Sequence, residues 1–359
     1  MPYPTLSRCV GCLLGGALGD ALGYPIEFDG PGSKLVALHG PSAPPRLRFH
    51  AASTGRISDD TQMTLFTAEG LIRAHLAGEA NPIRFLLAAY QRWYATQAMR
   101  PRGTSPPPPP QGHGLLLADA RLYARRAPGN TCLSALAASF MGRPLPSLES
   151  PPNDSKGCGG VMRSAPFGLF AASAEEAFEQ ARDAALLTHG HPSGYLSSAY
   201  FAALIFELSR GTPAQAGLDR ADALLAGAAG AAELRTLVDQ VRPMLGHGLP
   251  SIETIERLGG GWTGEEALGI AIACAFGARQ DDPRHVTEAL WRSVVHAGDS
   301  DSTGSLTGNL LGAMFGVEAL PPGWLDELEL GDLIERLGAD LWAARADPTQ
   351  LETSAYPLA

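Results

Sequence analysis

Two short stretches carry residue types that could do chemistry together. The first is Ser58-Asp59-Asp60-Thr61, and the second runs Gly298-Asp299-Ser300-Asp301-Ser302-Thr303-Gly304. Each puts two carboxylates and at least one hydroxyl at the entry to an expected helix. Ser and Asp at a helix start ordinarily cap free N–H groups, and for one such stretch capping is the first explanation. Two in one chain change that balance. Clustered carboxylates repel one another unless a cation offsets them. Hard oxygen ligands of this kind select Mg²⁺, Mn²⁺ or Ca²⁺ over zinc. Asp299-x-Asp301-x-x-Gly304 fits the start of an EF-hand calcium loop, but the bidentate Glu would fall on Leu310, so that reading fails. The expectation is a pair of cations shared by both stretches, since two metals ~3.5–4 Å apart can clamp a nucleophilic water and substrate oxygens. Sequence alone does not show that residues 58–60 and 299–302 meet.

Helices must position these groups. Residues 6–24 read as a helix rich in small residues, where Gly15, Gly16 and Gly19 permit close packing. Residues 30–56 read as a long loop. Ser58 then caps a helix with Asp in its first turn and an apolar face of Met63, Leu65, Phe66, Leu71 and Ile72. Residues 82–99 form an amphipathic helix with Pro82 in its first turn. Helical patterns recur at 113–125, 131–140, 174–188, 193–209, 218–226, 229–244, 264–278, 283–296, 305–315 and 330–345. The PPPPP run within 101–112 cannot be helix interior and reads as a surface loop. Strand-like alternation is scarce, so the predicted fold is all-α, a single compact orthogonal helical bundle over residues 1–345 with a tail at 346–359.

Composition narrows the function classes. The chain has 359 residues, 45% hydrophobic and 18% charged, enough apolar content for one large core. With a net charge of −10 and no Lys/Arg-rich stripe, nucleic acid is not expected as a partner. The five cysteines are scattered and odd in number, which argues against a disulfide framework; Cys9-x-x-Cys12 reads as buried helix cysteines. Asp20 and glycines interrupt the apolar N-terminal run, so neither a signal peptide nor a membrane span is expected, and the predicted location is cytoplasmic.

Six motifs then converge: GGALGDALGYPIEF at 15–28, RISDDTQMTLFTAEGL at 56–71, SKGCGGVMRSAPFGL at 155–169, THGHPSGYLSSAY at 188–200, GGGWTGEEALGIAIAC at 259–274 and HAGDSDSTGSLTGNLLGAMFG at 296–316. In this order they resemble the ADP-ribosylglycohydrolase family, which includes the ADP-ribosylarginine hydrolases and the dinitrogenase reductase-activating glycohydrolases. The Pro-rich loop and the residues beyond 316 lie outside the resemblance. It implies an all-α fold with two magnesium ions (manganese is the alternative), held by Ser58, Asp59 and Asp60 on one side and Asp299, Asp301 and Ser302 on the other. Some family members have Thr where Ser58 or Ser302 stands; either hydroxyl can ligate. The S-D-D form, Ser302 and the His189–Tyr195 stretch look closer to the arginine-specific branch than to the serine-specific one. Glu27 is expected near the metals and the scissile bond, while Asp20 braces structure.

The same resemblance implies how ADP-ribose is held. The loop with Gly157, Gly159, Gly160, Val161 and Met162 would face diphosphate and ribose, although a Gly-rich stretch alone usually marks a plain turn. His189 is assigned to ligand hydrogen bonding and His191 is left open. Ser193, Gly194 and Tyr195 would lie beside the phosphates. Trp262 could stack on adenine or sit in the core. Asp60 or Glu27 would take the proton of a water, and Asp301 and its neighbours would stabilise an oxocarbenium-like ribose. The expected products are ADP-ribose and an unmodified arginine. Two other readings stay open: a hydrolase of ADP-ribosyl-serine or O-acetyl-ADP-ribose, and a non-catalytic binding or immunity protein against an ADP-ribosyltransferase toxin.

Overall fold

The structure, a computed structural model, describes residues 3–51, 54–97, 114–277 and 284–358. The Pro-rich stretch at 101–112 lies outside the described residues. Among these the only regular secondary structure is helical, with no strand and one isolated bridge between Gly157 and Thr263. The elements that build the site are α1 (Leu6–Gly23), α2 (Gly32–His39), α3 (Asp59–Leu76), α4 (Pro192–Ser209), α5 (Gly264–Gly277), α6 (Arg284–Val294) and α7 (Ser300–Phe315).

From Cys9 to Gly23 helix α1 is buried on every face and apolar or small at every position but Asp20, as befits a helix at the centre of a core. The Thr5 hydroxyl accepts from the Arg8 N–H and caps its start. Its length and mean hydropathy of 1.3 would suffice to cross a membrane over Leu6–Ile26, a property the sequence reading did not credit to it. In the fold, 89% of an 18-residue window within that stretch is buried by the rest of the protein.

Helices α1 and α7 run antiparallel along facing glycines. A Cβ at Gly15 would lie 2.3 Å from the Gly308 carbonyl oxygen, and one at Gly308 would lie 1.9 Å from that of Gly15. Gly19 and Gly304 repeat the contact one turn further on. Backbone therefore touches backbone, with no space for even a methyl group. This register carries the end of α1 to the start of α7, and so brings residue 27 to residues 299–302.

Four expectations change. Residues 32–39 are helix α2 rather than loop, because Gly32 packs beneath Ile252 and the Val295 carbonyl while Leu35 is fully buried. An eight-residue helix with one deeply buried apolar side chain offers no period to read. The helix expected over 113–125, whose first residue lies outside the described residues, is not one helix over 114–125: Leu115–Ala118 and a 3-10 turn at Ala120–Leu122 meet at Asp119, whose carboxylate accepts from the Arg121 N–H. Helix α7 starts at Ser300, five positions before the apolar pattern begins, since α1 holds its poor helix formers in place. The Gly-rich stretch is a 3-10 helix, Cys158–Arg163, leading into Ala165–Phe170. The short helices Ile252–Leu258 and Pro322–Leu325 had no signature in the pattern.

Candidate active site

Three chain segments meet at the acidic stretches. The first follows α1, where a 3-10 turn at Tyr24–Ile26 delivers Glu27. The second and third are the N-termini of α3 and α7. Asp20, one turn from the end of α1, joins the first two. Both of its carboxylate oxygens accept from the Ser58 N–H at 2.9 Å, and Oδ2 also accepts from the N–H and hydroxyl of Thr61. Asp20 is thus a cap supplied from another helix, the bracing role expected of it. Ser58 caps α3 itself, accepting from the Asp60 N–H at 3.2 Å.

The predicted acidic residues come together. Ser58, Asp59, Asp60, Asp299, Asp301, Ser302 and Glu27 are all buried. Donor oxygens of Glu27, Asp299 and Asp301 lie within 4.8 Å of one another. Asp301 is the hub: after burial, its charge is the largest influence raising the pKa of Asp20, Glu27, Asp59, Asp60 and Asp299. Burial and like charge push Asp20 up to about 7 and Glu27 up to about 9. For Glu27 and Asp60 the acting neighbour charges are all carboxylates. Asp60 Oδ2 and Glu27 Oε2 are buried with no hydrogen-bond partner. Crowded, dehydrated carboxylates with unpartnered oxygens fit a divalent cation bound by hard oxygen ligands.

The Gly-rich turn packs against this centre. The Met162 carbonyl accepts from the Thr64 hydroxyl of α3, and Val161 is buried beside it. The Gly157 N–H goes to the Ser155 hydroxyl and the Cys158 N–H to the Trp262 carbonyl, so two donors of the expected phosphate loop are engaged internally. A Cβ on Gly159 would come within 3.1 Å of His189 Nε2, and one on Gly160 would meet the Ser198 hydroxyl at 2.9 Å. His189 is buried beside these glycines, and burial plus the Arg163 charge lower its pKa to about 3. Its Nδ1 lies 2.8 Å from the Thr188 hydroxyl, which also accepts from Arg163 at 2.7 Å.

His191, left open by the sequence, caps α4, its Nδ1 accepting from the Ser193 N–H. The Ser193 hydroxyl donates to Glu233, which pairs with Lys156. Gly194 sits where a Cβ would meet the Ser155 carbonyl at 2.9 Å, and Tyr195 is partly exposed in the first turn. Trp262 is not a core residue: it is 48% exposed and stacks on Phe28, ring centroids 6.1 Å apart. Its loop is fixed by Gly298, at φ +157°, where a Cβ would lie 1.9 Å from the Gly260 carbonyl oxygen. That carbonyl accepts the Asp299 N–H at 2.8 Å, which sets the Trp262 loop beside the acidic centre.

Two neighbours were not anticipated. Phe28 follows Glu27, but its exposure as half of an aromatic pair has no sequence signature. The Cys158 thiol donates to Asp299 Oδ2 at 2.8 Å. Its position within the Gly-rich motif was the available signal.

Among the described residues the protein is helical without strands, and its buried carboxylate centre lies where the end of α1 meets the starts of α3 and α7. The sequence model of the ADP-ribosylglycohydrolase family matches residues 1–350, and the chain belongs to that family. It is 25% identical to ADP-ribosylhydrolase ARH3 of Bos taurus, over 90% of this chain and 89% of that protein. It is also 25% identical to ADP-ribosylarginine hydrolase Tri1 of Serratia proteamaculans, over 94% of this chain and 80% of the relative. A solved structure titled ADP-ribosylglycohydrolase-related protein complex shares the fold, with a TM-score of 0.66 and 24% identity over 94% of this chain and 98% of that one.

Proposed function

We propose that this chain is a magnesium-dependent hydrolase that cleaves the N-glycosidic bond of mono-ADP-ribosylated protein, with ADP-ribosyl-arginine favoured, and releases ADP-ribose. The observation that carries this reading is the buried meeting of Glu27, Asp59, Asp60, Asp299 and Asp301, with Asp60 Oδ2 and Glu27 Oε2 unpartnered. Ser58, Asp59 and Asp60 would hold two Mg²⁺ ions from one side, and Asp299, Asp301 and Ser302 from the other; Mn²⁺ can replace them. Such ions lower the pKa of a water and orient oxygen ligands.

The residues divide the remaining work. Asp60 or Glu27, each with an unpartnered oxygen, takes the proton of the attacking water. Asp301, at the hub of the carboxylates, favours positive charge developing on the ribose. His189 stays neutral because of burial and can donate through Nε2 when Nδ1 accepts from Thr188. Gly159, Gly160, Val161 and Met162 form the wall beside it, with Ser193, Gly194 and Tyr195 at the start of α4. Trp262 and Phe28 offer aromatic faces for adenine.

The arginine preference draws on the likeness to a relative named as an ADP-ribosylarginine hydrolase. Equal identity to an ADP-ribosylhydrolase named without a linkage keeps ADP-ribosyl-serine and O-acetyl-ADP-ribose as substrates to compare. A binding or immunity protein that only recognised ADP-ribose would gain nothing from uncompensated buried carboxylates, which disfavours the non-catalytic reading. The test incubates the protein with arginine- and serine-ADP-ribosylated targets, with and without Mg²⁺. Magnesium-dependent release from arginine is expected. Release from serine alone would overturn the preference, and release from neither, with O-acetyl-ADP-ribose also left intact, would overturn the enzyme.

A further inference from the structure

Outside the acidic centre, Asp29, His39 and His50 draw together from three segments. Asp29 lies two residues beyond Glu27, His39 ends α2, and His50 follows the turn back. Gly40, at φ +96°, reverses the chain directly after His39 and lets residue 50 return to it. One donor atom from each of the three lies within 4.8 Å of the others. Asp29 Oδ2 is 3.0 Å from His50 Nε2, and the His39 and His50 rings are 5.4 Å apart. The edges of Phe49 and of Trp291, on α6, pack around the His39 ring. His39 Nε2 is buried with no hydrogen-bond partner.

We infer that Asp29, His39 and His50 form a second metal site, for zinc or another late first-row divalent ion, independent of the oxygen-lined acidic centre. Two imidazoles with one carboxylate are borderline donors, which prefer such ions to Mg²⁺. Three protein ligands leave a position for water, the coordination of an open zinc site. His50 and Asp29 are partly exposed, so an ion can enter from solvent. The bound ion pins the turn that presents Glu27 and Phe28, because Asp29 is the next residue in that turn.

The test uses the full chain stripped of metal and then saturated with Mg²⁺, which fills hard oxygen sites. Cobalt(II) is added and visible d–d absorption recorded; zinc is then added as competitor. One equivalent of cobalt with bands of histidine coordination, displaced by one equivalent of zinc, is expected. His39→Gln and His50→Gln should abolish the bands while the far-UV circular dichroism stays native. Should either variant fail to fold, Asp29→Asn, at the partly exposed ligand, must weaken cobalt binding by roughly tenfold or more, since even outer-shell changes have that effect. Absence of the bands in the wild-type chain, or equal bands in the variants, would overturn the site and leave Asp29–His50 a structural contact only.

Discussion

Asp20 caps helix α3 from inside helix α1: both of its carboxylate oxygens accept from the Ser58 N–H, each at 2.9 Å. The contact joins two residues 38 positions apart in sequence, one in α1 and one capping α3, and sets the height of Asp59 and Asp60 relative to Glu27. Asp20→Ala strands the Ser58 and Thr61 N–H groups in a buried setting, where each lost partner costs about 1–3 kcal/mol. Urea unfolding of the variant should show a loss of about 3 kcal/mol, with Asp20→Asn losing less because one oxygen still accepts.

The glycine contact between α1 and α7 predicts a second loss. Gly308→Ala would force its methyl group to within 1.9 Å of the Gly15 carbonyl oxygen, and backbone cannot yield as a side-chain tip can. Destabilisation of about 3 kcal/mol, the upper range for overpacking, is expected by denaturant titration. Gly227→Ala, with open space around it, should change stability by no more than about 0.5 kcal/mol.

Stability should fall as pH rises, and metal should oppose that fall. Asp20 and Glu27 are raised in the fold to about 7 and about 9, above the ~4 of an unfolded chain. Across that interval the folded state keeps protons the unfolded state has released, so rising pH favours unfolding. The thermal midpoint in a chelator should therefore fall from pH 5 to pH 9. Ligating carboxylates must be deprotonated, so the stabilisation added by Mg²⁺ should grow over the same range. A metal-free midpoint that rises with pH would contradict the buried cluster.

Arg163, Thr188 and His189 form a chain of contacts, in which the Thr188 hydroxyl lies 2.8 Å from His189 Nδ1 and 3.3 Å from the Ala185 carbonyl oxygen. Thr188 accepts from Arg163, and its own proton can go to His189 Nδ1, leaving Nε2–H to donate. Thr188→Val removes that proton source while nearly preserving shape. ADP-ribose binding measured by calorimetry should weaken roughly tenfold, about one charge-assisted hydrogen bond. His189 is uncharged far below neutrality, so binding should show no histidine step between pH 5 and pH 8.

Trp262 and Phe28 predict an optical signal. Ligand stacking on the exposed indole should quench its fluorescence, and Trp262→Ala should weaken ADP-ribose by roughly tenfold, the worth of one aromatic stack. Unchanged affinity in that variant would move adenine elsewhere.

Much of this organisation was legible in the sequence. The Ser58 cap and its helix, the buried N-terminal helix and the helices Asn130–Phe140, Ala174–Leu186 and Gly264–Gly277 follow from caps and apolar period. The acidic residues were identifiable because adjacent and alternate aspartates at two helix starts exceed what capping needs. Their meeting was not, because it depends on the register of α1 against α7, a contact of glycine backbones that leaves no hydrophobic pattern. Helix α2 escaped for the related reason that tertiary contacts at Gly32 and Leu35, rather than periodicity, hold it. Phe28 and Cys158 belong to the same class, since exposure beside one partner and a thiol bond to Asp299 exist only in three dimensions.

The central claim is that the N-termini of α3 and α7 share divalent cations. Crystals of the full chain grown with Mn²⁺ and measured at the manganese absorption edge test it directly. The account predicts anomalous peaks between Asp59–Asp60 and Asp299–Asp301, absent from the same crystals of Asp301→Asn. Full manganese occupancy elsewhere with no peak between those carboxylates would contradict it.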